Sequence, residues 1–162
     1  MPPSEAMPGS SRLVQLATEC AAWQAMLNVM GAEEQALING EADHVSRLTA
    51  SKLAQLQTLN NLADTRHQAL LQAGLSADHV GMNAWLTQHG LPEHRSQWQQ
   101  LCQMEQQAQE MNLRIGKLIE MRLATTRQAL NVLIHATTTQ GGLYDQAGQS
   151  VAAHTGKPLT AA

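Results

Sequence analysis

Residues 101–134 read LCQMEQQAQEMNLRIGKLIEMRLATTRQALNVLI, a run with no proline and one glycine. At about 100° per residue, Leu101, Ala108, Ile115, Leu123, Leu130 and Leu133 all fall within about 40° of Ile119. Met104, Met111 and Ile134 widen that arc, which is the core-facing stripe of one long amphipathic helix. The helix begins near Pro92, a residue suited to a first helical position, and extends to about Thr137. Its length is then on the order of 65 Å. Leu118, Met121 and Val132 lie on or beyond one edge of the stripe, about 100° to 160° from Ile119. The C-terminal half is therefore apolar on more of its circumference than one neighbouring hairpin could cover. Surplus of that kind points to a binding surface for another chain.

The rest of the composition agrees with an all-α chain. Of 162 residues, 43% are hydrophobic but only 2% aromatic, with no phenylalanine. Strands need β-branched and aromatic residues on pleated faces, so a sandwich or barrel is excluded. Leu, Ala, Gln and Met dominate, and all are inexpensive to place in a helix. A formal net charge of −3, with no stripe of Lys and Arg, argues against nucleic acid as a partner. No window approaches the roughly 20 apolar residues of a membrane span, and residues 1–9 do not resemble a secretory signal. A cytoplasmic location is expected.

Working outward, three turn clusters punctuate the chain: Asn39-Gly40, Ala73-Gly74-Leu75-Ser76 and His89-Gly90-Leu91-Pro92. Glycine supplies the left-handed residue that closes a helix. The expected elements are a disordered leader at 1–10, a helical bundle at 11–138 and a flexible Thr-, Gly- and Ala-rich tail at 139–162. Within the bundle, helices are expected at about 11–39, 41–72, 77–89 and 92–137. The first carries Leu13, Leu16, Cys20, Trp23, Leu27, Met30 and Leu37, with Glu34 in the vacant heptad slot. The second carries Val45, Leu48, Leu56, Leu59, Ala63 and Leu70, widened by Leu53 and Leu62. So short a turn at Asn39-Gly40 folds these two into an antiparallel hairpin. The short third helix, capped by Ser76, contributes Val80, Trp85 and Leu86. The architecture is thus an elongated antiparallel helical bundle, or coiled-coil hairpin, with a long last helix.

Candidate chemistry is sparse. Glu41-Ala-Asp-His44 has the Glu-x-x-His spacing of di-iron bundles, but no second pair or inward glutamates accompany it. The run from Gly148 to Pro158 has the wrong spacing for a phosphate loop, and neither strand nor helix flanks it. No nucleophile–base set can be assembled, so no enzyme, metal or cofactor is expected. Cys20 and Cys102 are too far apart for zinc spacing and suit small core positions. Glu34, Lys52 and Arg66, set within apolar seams, read as snorkelling side chains or as an ion pair fixing the hairpin register. Tyr144, the single tyrosine, sits beside Leu143 in the tail. It is either a docking anchor or a contact that folds back on the helices.

Further identity comes from Met111-Asn-Leu-Arg-Ile115-Gly-Lys-Leu-Ile-Glu120, then Arg127-Gln-Ala-Leu-Asn-Val-Leu133, then Leu143-Tyr144 and Gly148-Gln149. This series resembles the C-terminal half of the FlgN family. That family places Asn-x-x-Asn-Gly before Leu-Ile, then Gln-Ala-Leu-x-Val-Leu, then a Leu-Tyr-Gly-x-x-Gly-Gln tail. Glu34, Lys52, Arg66 and Trp98 also match types found there. Ile115 stands at the second Asn and Asp145 at the Gly after the tyrosine.

The resemblance implies a cytosolic chaperone of flagellar type III export. Such a protein binds the C-terminal amphipathic helices of hook–filament junction proteins and delivers them to the export gate. The client-binding residues it suggests here, together with the surplus stripe, are Ile115, Leu118, Ile119, Met121, Leu123, Leu130, Val132, Leu133 and Ile134. Leu143 and Tyr144 would dock the cytoplasmic domain of the gate. No membrane insertion is implied, and self-association without client suits the same surface. The alternative is a non-catalytic coiled-coil oligomerisation or regulatory bundle without a secreted client.

Overall fold

The computed structural model describes residues 15–140. Leu13, the leader at 1–10 and the tail from residue 141 on lie outside the described residues. Four helices follow in order: α1 Leu16–Asn39, α2 Ala42–Gln72, α3 His79–His89 and α4 Pro92–Gln140. Among the described residues there is no strand. The chain divides into two compact units, one ending at Ile119 and the other beginning at Glu120. The boundary falls inside α4, within the stretch 11–138 expected to form one bundle.

In the first unit, α1 and α2 form the antiparallel hairpin. Gly40 ends α1 at φ 76°. Its amide donates to Leu37 O, and that of Glu41 donates to Ala36 O (2.9 Å). Gly74 repeats the device after α2 at φ 73°. Only a residue without Cβ adopts this backbone cheaply. Gly90 departs from the expectation: its backbone is extended, and a Cβ there would lie 2.4 Å from Leu86 O. It is glycine for space, not for handedness.

Ion pairs fix the hairpin register. Lys52 Nζ donates to Glu33 Oε2 at 2.6 Å, with Thr49 Oγ1 on the other carboxylate oxygen. Arg66 grips Glu19 through two bonds of 3.0 and 3.1 Å. Both glutamates are buried, and the pairings step in opposite directions along α1 and α2. A buried carboxylate is tolerated only with such partners. On the third side, Cys20 donates its thiol to Gln97 O (3.3 Å), and Arg114 Nε donates to Glu34 Oε1 (2.9 Å). Those contacts advance together, so α4 runs parallel to α1 and antiparallel to α2.

The core of this unit joins Leu16, Leu27, Met30, Leu59, Leu70 and Trp98 to the stripe Leu101, Met104, Ala108, Met111 and Ile115. Burial raises the Cys20 and Cys102 thiols above their ordinary value. The short α3 covers one end. Trp85 and Leu86 are buried as expected, but Val80 is exposed and Met82 takes the interior position. The cap also differs from the expectation. Asp78, not Ser76, accepts from the Gly81 amide (2.9 Å), while Ser76 donates to Asp78 (2.6 Å). Bonding first to Ser76 and then to Gly81 holds the Asp78 carboxyl below its ordinary value. α4 starts at Pro92, and Leu91 N–H donates back to His94 Nδ1 (3.4 Å), as in half of a capping box.

In α2 the expected stripe is only partly buried. Leu59 and Leu70 are interior, whereas Leu53 and Leu56 are exposed, Leu56 at 45%. Three helices offer α2 a narrower contact than a stripe of eight apolar residues could fill.

Candidate protein-binding surface

The second unit carries the last turns of α4, and its apolar side chains face solvent. Met121 is 65% exposed, Leu130 55% and Val132 63%, with Leu123, Leu133 and Ile134 at least half exposed. Helical periodicity sorts them into two sets. Leu123, Leu130 and Ile134 lie within about 40° of one another, with Leu133 at one edge, while Met121 and Val132 lie on roughly the opposite side. One partner helix could cover the first set, and the second requires other cover. The threonines along this segment are turned to their own backbone. Thr125 Oγ1 donates to Met121 O (3.0 Å) and Thr126 Oγ1 to Arg122 O (2.9 Å). Thr137 and Thr138 both donate to Ile134 O, the back-bonding usual for this side chain in a helix.

The remaining residues expected on this surface belong to the first unit and differ among themselves. Ile119 is exposed, and Leu118 is partly buried against the core. Ile115 is 2% exposed, so it serves the interior and offers no face to a partner. The last contacts of α1 explain the change. Glu34 lies beside Arg114, and with equal rise in two parallel helices the end of α1 at Asn39 falls near the level of residue 119. The stripe keeps its period, but the hairpin that covers it stops. Leu143 and Tyr144 lie outside the described residues.

A second apolar feature lies wholly within the first unit. Between α2 and α4, a cleft of about 300 Å³ is floored by Trp23, Met26 and Met30 of α1 and walled by Leu56 and Ala108. It adjoins a hollow of about 200 Å³ that continues past Leu56 and Glu105 toward Asn60 and Ala63. Sequence periodicity missed this groove, because it treats Leu56 as covered core. Missed as well were Glu19 and Glu33: a cation in an apolar seam announces a partner without saying which carboxylate it is.

Glu41 and His44, the pair with metal-like spacing, bond to each other at the surface (3.0 Å). That bond, and one from Asn39, lower the Glu41 carboxyl below its ordinary value. Among the described residues, no three His, Cys, Asp or Glu side chains converge as a metal site would require. Nor is any described helix long and apolar enough to cross a membrane.

The family model described as "FlgN protein" matches residues 10–152. The chain belongs to the FlgN family. No curated protein and no solved structure matches it. FlgN is a family of flagellar export chaperones, whose work is done through protein contacts. In this FlgN-family chain the matched region takes in the ion-paired hairpin, the groove and the uncovered apolar turns of α4 alike.

Proposed function

We infer that this chain is a cytoplasmic export chaperone that holds the C-terminal amphipathic helix of a flagellar hook–filament junction protein against the second unit. The supporting observation is a core-like stripe left in water: Leu123, Leu130, Leu133 and Ile134, all at least half exposed. Re-covering a half-exposed Leu or Ile is worth about 1–2 kcal/mol. Four such residues give a gross gain comparable to the lower estimates of association cost, about 4 kcal/mol and upward. A partner must therefore bring its own apolar face, and an amphipathic client helix does so. The function requires no catalytic group. Leu143 and Tyr144 serve as a separate short motif for the cytoplasmic domain of the export gate, so cargo and gate are engaged by different parts of the chain.

Co-purification of tagged chaperone with a junction protein tests the surface. Leu130→Glu combined with Ile134→Glu is expected to abolish capture, with helicity by circular dichroism unchanged. Undiminished capture would show the cargo to be held elsewhere. Tyr144→Ala should leave cargo binding intact and weaken pull-down of the gate domain. If that variant also retains the gate, the tail motif is wrong.

A further inference from the structure

We propose that the end of α4 takes two acidic amphipathic helices of one cargo molecule, one along each of two separate apolar seams. This rests on the preceding reading, since it says what the cargo must bring to that surface. At about 100° per residue, Leu123, Thr126, Leu130, Leu133 and Thr137 fall within about 40° of a common line, in steps of three and four. Met121, Thr125, Ala129, Val132 and Ala136 do the same along a second line about 120° away. All of these residues are exposed. The threonines count as apolar contacts, because Thr125, Thr126 and Thr137 give their hydroxyls to carbonyls of their own helix. The rest of the circumference carries Arg127, Gln128, Asn131 and Thr138, also exposed. A helix with two such seams takes a neighbour on each side and keeps one polar face for water.

Charge and area say what covers the seams. From Met121 to Thr138 the chain has two arginines and no Asp or Glu, in a protein whose formal net charge is −3. A cationic strip repels a second strip like itself and favours helices with Asp or Glu along their flanks. Covering the first seam alone gives a gross gain that only matches the lower estimates of association cost. A second helix joined to the first buries Met121 and Val132, 65% and 63% exposed, without losing translational freedom again. Small residues at Ala129 and Ala136 let that second helix approach closely and bring bulky apolar side chains of its own. Geometry then sets the size of the cargo segment. Each seam rises about 21 to 23 Å, or about 15 residues of helix. Partner axes about 9 Å from α4 and about 120° apart lie about 16 Å from each other, which about five extended residues span. The occupant is therefore a segment of about 35 residues.

Calorimetric titration of full-length junction protein into the full-length chaperone, with the mass of the complex read by light scattering, tests this. One cargo molecule should bind per chaperone, more weakly as salt rises. Met121→Glu combined with Val132→Glu should weaken binding about tenfold or more without abolishing it. Asn131→Glu combined with Thr138→Glu adds the same charge on the polar face and should leave affinity within about threefold of the wild type. A Met121/Val132 variant that binds as tightly as the wild type overturns the proposal, as does a polar-face variant equally weakened. So do two cargo molecules per chaperone, an affinity unmoved by salt, or a second chaperone copy in the complex that the Met121/Val132 variant loses. Leu130→Glu with Ile134→Glu is titrated alongside. If that variant binds undiminished, or the wild type binds no cargo, the preceding reading falls and this inference with it. Loss in that variant with none in the Met121/Val132 variant overturns this inference alone.

Discussion

The two halves of α4 share one hydrophobic period and differ in what lies beside them. From Leu101 to Ile115 the stripe is sealed against α1, α2 and α3. From Met121 to Ile134 the same spacing of Leu, Ile and Val is exposed. An apolar stripe in sequence is thus a demand for a neighbour, and only the length of the surrounding helices says whether the demand is met within the chain. In a structural bundle the unmet half would be a liability. In the export chaperone proposed here it would be the working surface.

Several substitutions would sharpen or break that contrast. Removing Arg66 strands the buried Glu19 carboxylate, so Arg66→Ala is expected to cost about 3–5 kcal/mol in urea unfolding. Pairing Arg66→Met with Glu19→Met should restore most of it. A loss confined to Arg66→Ala would identify the pair as a device of register rather than net stability. Next in size, Ile115→Ala should cost about 2–5 kcal/mol, while Leu130→Ala stays within about 0.5 kcal/mol. Equal costs for the two would mean that the second half is packed after all, and the binding surface would have to be sought elsewhere. The smallest effect is one of pH. The carboxyl of Asp78 is held low in the folded chain, first by Ser76 and then by Gly81. Its contribution is complete above the unfolded value of about 4 and fades as pH falls through the lower folded value. Asp78→Asn should flatten the acid limb of the stability curve. An unaltered limb would place the acid sensitivity in other carboxylates.

The fold was legible because its determinants are local: a 3–4 apolar period, glycines closing two of the helices, and a proline at the start of α4. Lys52 and Arg66 stood out as long cations in apolar seams, which left two readings, snorkelling to the surface or pairing with a carboxylate. Their partners did not stand out, since the choice among Glu19, Glu33 and Glu34 depends on which turn of α1 faces which turn of α2. The same non-local dependence hid the burial of Met82 in place of Val80 and left Leu56 on the rim of a groove. At the surface, the surplus of apolar residues in α4 could be read directly. Ile115, expected both on the core stripe and among the client-binding residues, is buried; periodicity could not say where the cover ends, because it carries no record of the length of a neighbouring helix. Comparing the rise of α1 with that of α4 would have drawn the line near residue 119.

The threonine hydroxyls along the end of α4 bear on how readily that segment can lose its water. A free hydroxyl beneath a partner would strand a donor and subtract from affinity. Thr125, Thr126, Thr137 and Thr138 have already given theirs to carbonyls one turn back. A visiting helix can therefore dehydrate these side chains without orphaning a proton. The surface is drier in thermodynamic effect than its amino-acid content suggests, and a helix seated on it would come and go without breaking a polar bond at these four positions.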